Sequence, residues 1–305
     1  MKRMTLRRAG LSVAAAALLT GVTACGGGSG GSDGSGGSGG SEKSGDGSPR
    51  LSPVAALRTA EKSTDGADSA KVESSTTMGS VMSMTADGAL GWEDGLTGTL
   101  TITYTGGTMA DTMRQMGTTS MEARYLPDAY YARMGDTFAE QAGGRHWIKY
   151  AYDDLESLGG SSGAYLKDQM QNTTPNQSVK LLLASGDVRE VGEEKVRGRR
   201  ATHYSGTVEV ADLAEKNSGL SQSQLDDLRK TLEQAGVTTE TVDIWVDDRD
   251  LLVKKVEQGE TTAGAYTQTA YYSDYGTEVS AQVPPASDTA DFSELVKQQG
   301  AGTGS

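Results

Sequence analysis

Cys25 is the only cysteine in this 305-residue chain, and histidine and phenylalanine occur twice each. One thiol forms no intramolecular disulfide, so an exported folded region would hold together by its core alone. With only His146 and His203 to draw on, a zinc site would need carboxylates, and a catalytic triad has little histidine available. No nucleophile elbow, phosphate loop or metalloprotease signature occurs, and no motif implies a cofactor or resident metal. An enzyme is therefore not the expected reading. Cations are also in deficit: 28 Lys and Arg against 41 Asp and Glu give a net charge of −13. So acidic a surface disfavours nucleic acid and anionic headgroups as partners. The one apolar run near the amino end falls short of the roughly 20 residues that span a membrane.

That run belongs to an export signal. Lys2, Arg3, Arg7 and Arg8 precede "AGLSVAAAALLTGVTA", which ends in small residues before Cys25. Val22-Thr23-Ala24-Cys25 resembles the bacterial lipobox. That resemblance implies a diacylglyceryl group on Cys25 as lipid anchor, removal of residues 1–24, and residence on the extracytoplasmic face of the cell membrane. An ordinary signal peptide with an incidental cysteine is the alternative, and Arg7-Arg8 leaves the Sec and Tat routes both open. Losing those four cations would take the chain from −13 to about −17. Residues 26–50 are mostly Gly and Ser and bury too little to fold. With Cys25 they form a tether (25–50) of roughly 25–30 Å end to end.

Residues 51–298 show no second linker and no internal repeat, and read as one β-rich domain followed by a short tail, 299–305. "TGTLTITYT" alternates Leu100, Ile102 and Tyr104 against threonines, the period of a half-buried strand. "TVDIWVDDRDLLVKKVEQ" reads as a hairpin with Val242, Ile244 and Val246 on one face and "DDRD" in the turn. Further strands are expected in "AKVESSTTM", "SVMSMTADGALGW", "SMEARYLP", "DAYYARMG", "HWIKYA", "REVGEEKVRG", "RRATHYSGTVEV", "GAYTQTAYYSDYG" and "EVSAQV". Short connections between them imply an antiparallel sheet. Ser52-Pro53 and Thr174-Pro175 open helices, the latter with a capping-box Gln177. Ser221–Gln224 starts another, carrying Leu225, Leu228 and Leu232 on one face; shorter helices are expected at 152–158, 164–171 and 209–217.

Three longer phrases, "VGEEKVRGRRATHYSGTVEVADL", "VDIWVDDRDLLVKKVEQ" and "YYSDYGTEVSAQVPPASDTADF", resemble the LppX/LprAFG lipoproteins of actinobacteria, as does "HWIKYAYDDL". The resemblance implies an α+β fold like that of LolA and LolB: a strongly curved antiparallel half-barrel with helices covering its concave face. It also implies an acylated lipid or other hydrophobic small molecule held between sheet and helices. A ligand so held would meet the inward set of the clearest strands, Leu100, Ile102, Tyr104, Val242, Ile244 and Val246. The other reading is an interaction or regulatory lipoprotein whose half-barrel is filled by its own side chains, with a protein partner that the sequence leaves open.

Smaller constellations have plain structural explanations beside functional ones. Met78, Met82, Met84, Met109, Met113, Met116 and Met121 fill a core, line an adaptable pocket or, in "MADTMRQM", form a soft-metal site. The two histidines fit hydrogen-bonded strand positions. "DDRD" and "YDDL" cluster hard oxygens but lack calcium-loop spacing, and a turn and a helix start explain them. Tyr130, Tyr131, Tyr266, Tyr271, Tyr272 and Tyr275 suit surfaces that are apolar yet partly wet, or an outer sheet face. The anchor is directly testable: Cys25→Ala should move the protein from the membrane to the soluble fraction, and continued sedimentation with membranes would refute lipidation at this residue.

Overall fold

In a computed structural model, residues 52–155, 163, 167, 170, 171, 174–209, 236 and 239–302 are described. The signal, Cys25, the tether, most of 156–173 and the helices expected at 209–217 and from Ser221 lie outside them. Twelve strands form one open sheet in the order β12-β6-β5-β4-β3-β2-β1-β11-β10-β9-β8-β7. One meander comprises β1 (Ser69–Met78), β2 (Met82–Gly91), β3 (Thr97–Gly106), β4 (Ser120–Tyr125), β5 (Ala129–Arg133) and β6 (Trp147–Ala151). The other comprises β7 (Arg189–Val196), β8 (Arg199–Glu209), β9 (Thr239–Asp247), β10 (Leu252–Thr261) and β11 (Gly264–Ser273). Antiparallel pairing of β1 with β11 joins them, and β12 (Thr289–Asp291) adds a parallel edge to β6.

Helices sit mainly on one face. In α1 (Pro53–Asp65) the Ser52 hydroxyl accepts from the Ala55 amide at 3.3 Å, and Leu57, Ala60 and Thr64 are buried on one stripe. A second helix, α2 (Gly107–Gln115), leaves β3 without a side-chain cap and lies on β2 and β3. The short α3 (Asp136–Gln141) buries Phe138. In α4 (Pro175–Ala184), Val179 and Leu182 pack toward β8, β9 and β10; Thr174 makes no side-chain cap bond, contrary to the expected capping box. The chain closes with α5 (Phe292–Gly302), which runs beyond residue 298, where a tail was expected. "EVSAQV" is a further correction: 277–285 forms no ladder, although the Gln282 carbonyl accepts from Arg124 at 2.8 Å.

Alternation is what puts one set of side chains inward. Val72, Met84, Leu100, Ile102, Tyr104, Ala123, Tyr130, Tyr204, Val242, Ile244, Ala270 and Tyr272 join Leu57, Val179 and Leu182 in a single core. On the opposite face Val196, Ala201, Trp245 and Val253 form a small second cluster. There the β7–β8 turn, with Arg197 and Gly198 both at positive φ, is tied back over the sheet. Arg197 lies 3.9 Å over the Tyr271 ring and bonds both Glu73 oxygens at 2.7 and 2.9 Å.

Two glycines set how closely β2 and β3 approach. A Cβ on Gly88 (φ +153) would stand 2.1 Å from the Thr99 carbonyl oxygen, and one on Gly98 (φ +140) 2.2 Å from that of Ala89. Only glycine fits both the contact and the backbone angle. Gly88→Ala should therefore lower the unfolding free energy by about 2 kcal/mol or more, measured by urea denaturation. Gly192→Ala, where a Cβ meets nothing within 4 Å, should cost less despite its φ of +149. Equal losses would show that the β2–β3 contact is not the source of the penalty.

Candidate functional site

The concave face is chemically divided. Toward β8–β11 it lies under α1 and α4, and Val242, Ile244, Leu252, Leu57, Val179 and Leu182 are fully buried there. A polar seam runs through this half. Ser178 on α4 donates to Glu257 Oε1 at 2.7 Å, and Lys255 Nζ lies 2.8 Å from Glu257 Oε2. On β9 the neighbouring Glu240 is pushed up to about 8, by desolvation first and then by the charge of Glu257, with Lys255 pulling the other way. Asn176 donates to Asp65 at 2.9 Å across the α1–α4 contact, leaving its buried Oδ1 without a partner.

Toward β3–β6 the same face is aromatic. Register places Tyr125 opposite Tyr130 and Tyr130 opposite Tyr150, so three adjacent strands present one row of phenol rings. Centroids are 5.1 Å apart for Tyr125–Tyr130, 5.7 Å for Tyr130–Tyr150 and 4.7 Å for Tyr150–Phe292. Tyr104 on β3 and Tyr152, at the helical stretch 152–155, complete a group of five. Burial raises all five above their ordinary value, Tyr125 to about 12 and Tyr130, Tyr150 and Tyr152 well above the usual phenol range. Neighbouring phenols add to the shift at Tyr125, Tyr130, Tyr150 and Tyr152. Tyr152 is 2% exposed, and among the described residues its Oη has no hydrogen-bond partner. Leaving such a group unpaired costs about 1–3 kcal/mol.

All six positions expected from the sequence fall on the concave face and in the same core: Leu100, Ile102 and Tyr104 in the aromatic half, Val242, Ile244 and Val246 in the covered half. Of the tyrosines singled out, Tyr130, Tyr266 and Tyr272 point inward with Val72 and Ile102, while Tyr131 and Tyr271 belong to outer clusters. Sequence reasoning missed Tyr125, Tyr150 and Tyr152. Their signal is the recurrence of tyrosine at inward positions of successive strands, which only the register exposes. Both histidines are hydrogen-bonded to aspartate: His203 Nε2 to Asp243 at 2.8 Å on the outer face, and His146 Nδ1 to Asp288 at 2.7 Å. "DDRD" is the β9–β10 turn, where Asp247 accepts from the Arg249 and Leu251 amides. Among the described residues, no three of His, Cys, Asp and Glu gather to hold a metal. A pocket of about 160 Å³ opens at the rim, lined by Met121, Glu122, Arg133, Met134 and Asp136 among others.

No protein-family model matches the chain. It is 58% identical over 310 residues to a Streptomyces coelicolor protein described as "Putative lipoprotein SCO4650", covering 98% of this chain and 100% of that one. Among solved structures, LprF from Mycobacterium bovis matches at a TM-score of 0.47 and 14% identity, covering 79% of this chain and 100% of that chain. Mycobacterium tuberculosis lipoprotein LppX matches at 0.46 and 15%, covering 75% and 98%.

The tyrosine group makes a pH prediction. Because the folded values are raised above 10.0, the neutral phenols are favoured by folding; that stability is full below pH 10.0 and is lost as pH rises through the raised values. Tyrosinate absorbance from these five residues should therefore appear cooperatively with alkaline unfolding. Independent titration of every tyrosine near pH 10.0, with the fold intact, would contradict their burial.

Proposed function

Since the chain belongs to the same protein family as SCO4650 of Streptomyces coelicolor, we propose that it is an exported lipoprotein, anchored through Cys25, that holds a hydrophobic ligand against the aromatic half of its concave face. The observation that carries this reading is Tyr152 Oη, buried and, among the described residues, unpaired beside four other phenols. A ligand with an apolar body and a hydrogen-bond acceptor, such as the ester carbonyl of an acylated lipid, would relieve that hydroxyl while burying its chains. Each methylene so buried contributes about 0.8 kcal/mol. Leu100, Ile102 and Tyr104 belong to the binding surface in this reading. Val242, Ile244 and Val246 support the sheet from beneath α4. The mechanism is sequestration near the extracytoplasmic membrane face, where the tether keeps the domain.

The alternative, an interaction lipoprotein with a filled half-barrel, has its own support in the fully buried contacts among Leu57, Val179, Leu182, Val242 and Ile244. One experiment separates the two. Full-length protein extracted from a lipid-rich actinobacterial host and analysed by native mass spectrometry should carry acyl lipid. Tyr152→Phe should lower occupancy several-fold, as loss of one hydrogen bond of about 1 kcal/mol predicts, without destabilising the lipid-free protein. Wild-type protein consistently free of lipid would favour the filled half-barrel. Occupancy unchanged in Tyr152→Phe would remove the assigned role of that hydroxyl.

A further inference from the structure

Every methionine beyond residue 50 lies in or against one apolar cluster: Met82, Met84 and Met113 within it, and Met78, Met109, Met116, Met121, Met134 and Met170 packed on its border. This is a local choice of chemistry, not a general habit of the protein. α1 meets the same core through Leu57 and Ala60, and α4 through Val179 and Leu182. α2 makes that contact through thioethers instead. Met109, Met113 and Met116 recur at i, i+4 and i+7, within about 60° of arc on a helix of 3.6 residues per turn. Met116 is the capping residue, with φ −82° and ψ 6°, so it prolongs the same stripe. The opposite side of α2 is polar and exposed, with Asp111 and Arg114 paired there.

Burial follows the stripe in a way that filling a core does not require. Met113 is almost fully buried, while Met109 and Met116 on either side of it are half-buried. Beneath them lie Met82 and Met84 on β2, the strand on which α2 packs. The chain then doubles back, the Thr118 amide bonding the Met113 carbonyl and the Tyr104 amide bonding the Thr119 carbonyl, each within 3.1 Å. That return brings Met121 to β4 beside Ile102. Met121 and Met134 also line the open pocket next to Gly117.

We propose that the α2 stripe, Met109, Met113 and Met116, is a binding site for a soft monovalent cation, Cu(I), with Met82 or Met121 available as a further sulfur ligand. The charge-free, polarizable thioether selects Cu(I) over hard or borderline cations, which need carboxylate, imidazole or thiolate. Among the described residues no cluster of such groups competes. The site stands apart from the lipid reading, which rests on Tyr152.

Ag(I), a redox-inert cation of the same charge and softness, is the direct probe. In the full chain carrying Cys25→Ala, so that no thiol competes, Ag(I) should raise the melting temperature by several degrees once its free concentration exceeds the dissociation constant about a hundredfold. Cu(I) under anaerobic reduction should do the same, and Zn(II) and Ca(II) should not. The triple substitution M109L/M113L/M116L conserves volume and should abolish the shift while leaving the metal-free melting temperature nearly unchanged. In the unsubstituted stripe, Ag(I) should also move the Met109, Met113 and Met116 methyl resonances and leave that of Met170 in place, a readout independent of the variant's folding. No shift with Ag(I), a shift that survives the triple substitution, or an equal response to Zn(II) would each overturn the proposal.

Discussion

Backbone contact between β2 and β3 is the constraint on which the remaining architecture rests. At Gly88 and Gly98 each strand's backbone occupies the space where the other's Cβ would be. Glycines at such positions permit strands to bend, and twist accumulates over twelve strands without closing the sheet into a barrel. The broad concave face that results has to be covered, because apolar residues predominate at the inward positions of most of its strands. The convex face needs far less cover. There the β7–β8 turn, held by Arg197 on Glu73 and Tyr271, shields the small cluster around Trp245.

Cover is unequally distributed, and chemistry follows the distribution. Under α1 and α4 the core residues are aliphatic and fully buried, and most polar groups among them are paired, as Ser178 and Lys255 are on Glu257, with the Asn176 Oδ1 an exception among the described residues. Close packing of this sort is a stability device. Across β3–β6 the inward residues change to tyrosine and methionine, side chains that tolerate both oil and water and that adapt their shape. A hydroxyl left unpaired in that half is affordable only against the stability supplied by the other. The two halves of one face thus differ in kind, one close-packed and aliphatic, the other built from adaptable aromatic and thioether side chains.

Much of this was legible in the chain itself. Eleven of the strands were expected, most plainly β3, where period-2 alternation follows from a sheet with one buried face. Ser52 before Pro53 located α1 for an equally local reason. What stayed hidden depends on long-range pairing. "EVSAQV" alternates as well as any strand but finds no ladder partner, while three residues of β12 gain one from β6. α2 escaped notice because it starts straight from β3 at Gly107, at φ +80, with no capping side chain to announce it. The phenol row of Tyr125, Tyr130 and Tyr150 exists only once β4, β5 and β6 are in register. Tyr152 gives no sign in sequence that its hydroxyl ends unpaired.

Charge and tether together explain how such a surface can work beside a membrane. An acidic domain is repelled by anionic headgroups, and that repulsion fades within about 10 Å at moderate salt. Left free, it would drift away; in the proposed reading the 25 Gly/Ser-rich residues 26–50 would hold it within roughly 25–30 Å, beyond the range where repulsion acts but close enough for frequent encounter. In the proposed reading, anchoring through a lipid on Cys25 would leave the domain free to rotate, so no face of the sheet would be pressed permanently on the bilayer. The aromatic half of the concavity would then face the membrane to meet an apolar ligand and turn from it afterwards, with the acidic surface favouring departure.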